Sequence, residues 1–202
     1  VEPRMTSVSE ISPMQDLVGT EVSRKEDIQA LLNNQCDHID GSIQDSDKKS
    51  GRSYQLIRIQ EETRKGECIS EHHRYQELIH GVPIYAADIV LSTKGCIASS
   101  SDGKMTVKSI SGYTFLGVDV EGGYVATYNE EDAKIAIVDL LQAEMKRVVP
   151  VEFGTITLEV RPTTEGDFLV YTLETISASR IVDISVNANN LSQIVARCDR
   201  SE

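Results

Sequence analysis

Two runs of alternating apolar and polar residues meet at the dipeptide His80-Gly81, with HHRYQELIHG on one side and VPIYAADIVLS on the other. Period-two alternation sends successive side chains to opposite faces of an extended chain, and Gly readily takes the backbone conformation that a tight turn needs. The pair therefore predicts a β-hairpin, and the segments around it extend the pattern.

Before the hairpin, SYQLIRIQEET alternates Tyr54, Leu56 or Ile57, and Ile59 with polar neighbours, as a half-buried strand does. After it, KGCIASSSDGKM supplies a Gly turn, a short strand and the turn dipeptide Asp102-Gly103. Ahead of these strands, SRKEDIQALLNN offers Ser23 as N-cap, Glu26 in the capping-box position, and Ile28, Leu31 and Leu32 on one helical face. The linking HIDGSIQDSDKKSG is rich in Gly, Ser, Asp and Lys and reads as a loop that contains His38. Residues 1–22 are polar, carry two prolines and show no period, which predicts an irregular or extended arm.

The second half repeats this order. A Gly- and Tyr-rich passage, SGYTFLGVDVEGGYVAT, precedes NEEDAKIAIVDLLQAEM, where Asn129 is the expected N-cap and the acids of the first turn complement the helix dipole. Ala133, Ala136, Ile137, Leu140 and Leu141 follow at helical spacing. TITLEVRPT, DFLVYTLETI and RIVDISVNA then read as strands, the first two joined by the turn TTEGD, and the end, IVARCDRSE, reads as a flexible polar tail. A helix followed by a run of strands, twice over, predicts an α+β chain rather than a βαβ one.

At 202 residues the chain is long enough for one large domain or two small ones. With no Trp, three Phe and seven Tyr, a core built from its 40% hydrophobic residues is mainly aliphatic. The formal charge of -12 repels nucleic acid and anionic lipid, so neither is expected as a partner. No apolar run approaches the ~18 residues that cross a bilayer. The start, VEPRMTSVSEISPM, has neither the basic nor the apolar part of a signal peptide, so any leader is expected to have been removed.

Chemistry-bearing clusters are sparse. In a strand His72 and His73 point to opposite faces and cannot chelate one ion together, no HExxH occurs, and His38 and His80 lie apart. Satisfied strand or surface histidines are therefore expected, with no metal site in this chain. There is no GxSxG elbow and no Gly-rich, Lys-bearing phosphate loop. The acidic pairs Glu61-Glu62 and Glu130-Glu131 read as solvated faces or helix caps rather than a catalytic dyad. No catalytic residue and no cofactor is expected. Cys36, Cys68, Cys96 and Cys198 stand at wide spacing without CxxC, which suits two disulfides of undetermined connectivity or four reduced thiols.

The segment HHRYQELIHGVPIYAADIVL, His72 to Leu91, resembles the fungalysin/thermolysin propeptide domain. The positions that carry the likeness are His72, Arg74, Tyr75, Gln76, Gly81, Val82, Pro83, Tyr85, Ala87 and Asp88. Downstream, Glu130, Glu131, Ala133 and Ala136 with LVYTLETI and RIVDISVNA are similar to the PepSY domain of the same precursors, although NANNLSQIV stands where that family closes its last hairpin with Asp-Ala-x-Thr-Gly. The resemblance implies two consecutive helix-plus-antiparallel-sheet, cystatin-like domains at residues 23–112 and 113–195, between an arm at 1–22 and a tail at 196–202. It implies the propeptide of a secreted or periplasmic thermolysin-like zinc metalloprotease, acting as intramolecular chaperone and inhibitor, with the zinc in the partner catalytic domain. It favours disulfides, and it implies a protease-cleft contact by Ala196, Arg197, Cys198, Asp199, Arg200, Ser201 and Glu202. The alternative expectation is a free-standing protease inhibitor or an extracytoplasmic binding module of the same fold.

Overall fold

The computed structural model describes residues 4–39, 51–96, 104–146, 150–177 and 180–200. The chain divides into two units, Val1–Val118 and Asp119–Glu202.

The first unit opens with β1 (Arg4–Ser7), a 3-10 turn (Val8–Glu10), α1 (Ser12–Gln15) and β2 (Glu21–Val22). Helix α2 (Lys25–Ile39) follows, then four long strands: β3 (Arg52–Arg64), β4 (Glu67–Ile79), β5 (Val82–Lys94) and β6 (Met105–Leu116). These four pair in order as an antiparallel meander, and β1 and β2 both add to β6. Two-residue turns close the first two hairpins. Lys65-Gly66 and His80-Gly81 have positive φ at both positions (54° and 83°, 49° and 81°), the turn geometry that matches the twist of paired strands.

Helix α2 lays Ile28, Leu32 and Cys36 on Tyr54, Tyr75, Ile89, Leu91, Met105 and Val107, all buried in one core. Each fully buried Ile or Leu there contributes about 1.5–3 kcal/mol. Val8, Met14, Leu17 and Val22 join the same core. Residues 4–22 are thus not an irregular arm, because their scattered apolar residues have a core to fill.

The second unit holds α3 (Glu130–Met145) and the antiparallel meander β7 (Glu152–Thr163), β8 (Gly166–Ser177), β9 (Arg180–Asn187) and β10 (Asn190–Arg200). Asn129 caps α3 as its sequence predicts, accepting from the Glu131 and Asp132 amides while Asp132 reaches back to the Asn129 amide. The helix packs on β8, β9 and β10, with Ala133, Ile137 and Leu141 buried. Tyr171 and Leu173 of β8 are buried in register with Val186 and Ile184 of β9, and Leu169 is buried beside them on β8.

The expected fold class is corrected by the structure. Of the described residues 59% are strand and 21% helix, so the chain is mostly β and not a pair of helix-plus-sheet, cystatin-like domains. The cause is strand length: β3, β4 and β5 each run 13 residues, about twice the usual strand. Parallel bridges Ser70↔Gly95 and Val120↔Asp167 also interrupt the antiparallel pattern. Two local expectations shift as well. His38 falls within α2 rather than in a loop. At the start of α2 it is Asp27, not Glu26, that turns back, accepting from the Arg24 amide at 3.0 Å and from its guanidinium at 2.9 Å. The Arg24 hydrogen bond holds the Asp27 carboxyl below the usual range. The loop after residue 39 and the strand and turn expected at 97–103 lie outside the described residues.

Candidate functional site

The residues singled out between His72 and Asp88 gather on the β4–β5 hairpin, where one feature organises them. Gln76 pairs with Asp88, and the next register pair is Leu78 with Pro83. Glu77 therefore faces Ile84, Tyr85, Ala86 and Ala87 together, and β5 bulges. Ala86 takes φ 58°, a left-handed conformation that costs a residue with a Cβ about 1–2 kcal/mol. The Gln76 side-chain nitrogen stabilises the bulge by donating to the carbonyls of Ile84 (2.7 Å) and Ala87 (2.9 Å).

Neighbouring residues frame this feature. Arg74 makes an ion pair with Asp88 across the strands, and His72 Nδ1 lies 2.8 Å from Ser92 Oγ. Gly81 closes the turn, Val82 is buried, and Pro83 follows at the second residue of β5. On the other side, a Cβ at Gly112 of β6 would sit 2.1 Å from Asp88 O and 2.7 Å from Ile89 Cα, so only Gly fits where β6 passes the end of the bulge. Tyr75 points into the core, whereas Tyr85 on the bulge remains 46% exposed. The arrangement is a rigid platform that displays an aromatic ring.

The inner face of β4 carries a second constellation. Glu71, His73, Tyr75 and Glu77 recur at period two and are all fully buried. Glu77 forms an ion pair with Arg52, whose guanidinium also donates to Phe115 O at 2.6 Å, and Thr114 Oγ1 donates to Glu77 at 2.6 Å. At the other end His73 Nε2 lies 2.9 Å from Glu71 Oε2, with Lys25 Nζ of α2 3.8 Å from the same oxygen. Among the described residues Glu71 Oε1, His73 Nδ1 and the Tyr75 hydroxyl make no hydrogen bond. Burial pushes the His73 imidazole below its usual range against the pull of Glu71, and pushes the Tyr75 phenol up. His73 and Tyr75 stack, with ring centroids 6.5 Å apart. The row is a buried polar ladder whose carboxylates are met by Lys25 at one end and Arg52 at the other. Reading the residues by type missed it, although the spacing of Glu71, His73, Tyr75 and Glu77 was visible.

Of the four cysteines, Cys68 and Cys96 form a disulfide with Cα atoms 6.1 Å apart. Two disulfides do not form: Cys36 is buried in α2 with its thiol 3.6 Å from Leu32 O, and Cys198 is exposed. The expected flexible tail is instead strand as far as it is described, since Ala196 to Arg200 pair with β9. Arg197 holds Glu144 of α3 at 2.8 Å and Arg200 holds Asp183 at 2.6 Å, and these carboxylates raise both guanidinium pKa values. Ser201 and Glu202 lie outside the described residues. Among the described residues no group of three or more His, Cys, Asp or Glu side chains is placed to hold a metal ion, and no helix is long and apolar enough to cross a membrane.

Compared with known proteins, the chain matches no family model and no curated protein.

Proposed function

We propose that the chain is the propeptide of a secreted thermolysin-like zinc metalloprotease, assisting the folding of the catalytic domain and then inhibiting it. The observation that carries this reading is the convergence of Arg74, Gln76, Gly81, Pro83, Ala87 and Asp88, the residues of the resemblance, on one bulged hairpin. A function in binding rather than catalysis suits such a site, because its polar groups are spent on holding backbone shape. The Cys68–Cys96 disulfide suits an oxidising, extracytoplasmic compartment.

In this reading the zinc is the partner's, and the contact with its cleft involves β10. That strand has one described neighbour, β9, so its outer edge is open to pair with an extended segment of the protease. Ala196 to Arg200 can make that contact without giving up the Arg197–Glu144 and Arg200–Asp183 ion pairs.

Refolding the unfolded catalytic domain with this chain supplied in trans tests the chaperone part. Recovered protease activity is expected to rise with the intact chain and to fall by at least tenfold with Gly81→Val or Pro83→Ala. Equal recovery with and without the chain contradicts the proposal.

A further inference from the structure

The turn between β9 and β10 carries three asparagines that do different things. Asn187 donates from Nδ2 to Gln193 Oε1 at 2.8 Å, and its Oδ1 accepts from the Asn189 amide at 2.8 Å. Asn189 Oδ1 accepts from the Thr127 amide at 2.9 Å and from its hydroxyl at 2.8 Å. Both side chains therefore fix the turn. Asn190 is exposed at the first position of β10, and its only described partner is local: Oδ1 accepts from the Ser192 hydroxyl at 2.7 Å and from the Ser192 amide at 3.3 Å. Among the described residues nothing engages its Nδ2.

Asn190-Leu191-Ser192 is also the one Asn-x-Ser/Thr triplet in the chain, and its middle residue is not Pro. That triplet is the acceptor sequence for Asn-linked glycans in chains that enter a secretory compartment. The Cys68–Cys96 disulfide suits such an oxidising compartment independently of any protease partner.

We propose that Asn190 accepts an Asn-linked oligosaccharide. The sugar donor is a polyprenyl-diphosphate oligosaccharide. Asn190 Nδ2 attacks C1 of its first sugar, a C–N bond forms as the C–O bond to the diphosphate breaks, the lipid diphosphate leaves with that electron pair, and a carboxylate of the transferase takes the amide proton. The Ser192 hydroxyl, bonded to Oδ1, is the group through which the triplet presents its amide. Transfer to the unfolded chain is compatible with the folded state, because Nδ2 faces solvent at a hairpin end and a bulky polar substituent displaces no packed side chain there. The glycan keeps the β9–β10 turn out of any protein interface.

The test is to secrete the full chain from a eukaryotic cell and measure its intact mass before and after treatment with an amidase that removes Asn-linked glycans. The expected result is a mass excess that the amidase abolishes, mapped by peptide analysis to the Asn190 peptide, absent in Ser192→Ala and retained in Ser192→Thr. Mapping on the unaltered chain needs no variant to fold, and chain retained in the cell is read the same way because transfer precedes export. Chain that carries the Cys68–Cys96 disulfide at unmodified mass overturns the proposal. The readout is independent of inhibition, so failure here leaves the propeptide reading standing, and the reverse also holds.

Discussion

The side-chain nitrogen of Gln76 lies 2.9 Å from the carbonyl oxygen of Ala87, bridging the bulge of β5. With its second bond to Ile84 O, it holds the carbonyls of two residues that have no register partner on β4. Replacing it with Leu keeps the bulk and removes both donors. Gln76→Leu is expected to destabilise the chain by about 1–3 kcal/mol in urea unfolding, the cost of stranded polar groups. Gln76→Glu, which has the shape but no donor, is expected to lose as much. A neutral result for both would remove Gln76 as the cause of the bulge.

Buried His73 makes stability depend on pH. Its folded pKa is lowered, mainly by burial, while the unfolded imidazole titrates near the usual ~6.5. Below that value the unfolded state binds more protons than the folded one, so stability is full above ~6.5 and is lost as the pH falls toward the folded value. The groups facing the ring are Glu71, His72 and Tyr75 of β4 and Lys25 of α2. Urea midpoints from pH 8 down to 5 are expected to fall, with a shallower fall in His73→Phe. Identical pH profiles for the two proteins would contradict this assignment.

The Arg52–Glu77 pair is fully buried, with Thr114 and Phe115 O completing its hydrogen bonds. Removing one partner leaves a charge without compensation. Arg52→Met is expected to cost about 3–5 kcal/mol, and Arg52→Met combined with Glu77→Leu much less. Thermal unfolding of the single and double variants checks this, and additive losses would contradict it.

The Cys68–Cys96 disulfide closes a loop across β4 and β5 with a sequence separation of 28. On the chain-entropy account that constraint contributes about 3–4 kcal/mol. Cys68→Ser with Cys96→Ser is expected to lower unfolding stability by that amount under oxidising conditions and to abolish the effect of added reductant. Unchanged sensitivity to reductant would implicate other thiols.

The hairpin at His80-Gly81 and the Asn129 cap were legible because each depends on neighbours in sequence. The bulge was not, since Ile84 to Ala87 look like continued strand until Gln76 is seen to hold their carbonyls. The polar row on β4 was hidden for a related reason: glutamates such as Glu71 and Glu77 are seldom buried unless paired, and the partners that make their burial tolerable, Lys25 of α2, Arg52 and Thr114, lie far away in sequence. Val8, Met14, Leu17 and Val22 have no shared period, so their packing into the first core could not be read from spacing. Residue type alone left three pairings for four cysteines, and geometry selects Cys68 with Cys96. Counting a helix before each meander weighted the fold toward α+β, whereas strand length makes it mostly β.

The propeptide reading meets its most direct test in an inhibition titration. The folded chain is added to a thermolysin-like catalytic domain, ideally one encoded with it, and peptide hydrolysis is followed while the chain is checked for cleavage. The account predicts tight inhibition by intact chain, weakened at least tenfold when residues from Ala196 onward are deleted. Full protease activity in the presence of excess intact, folded chain would contradict it.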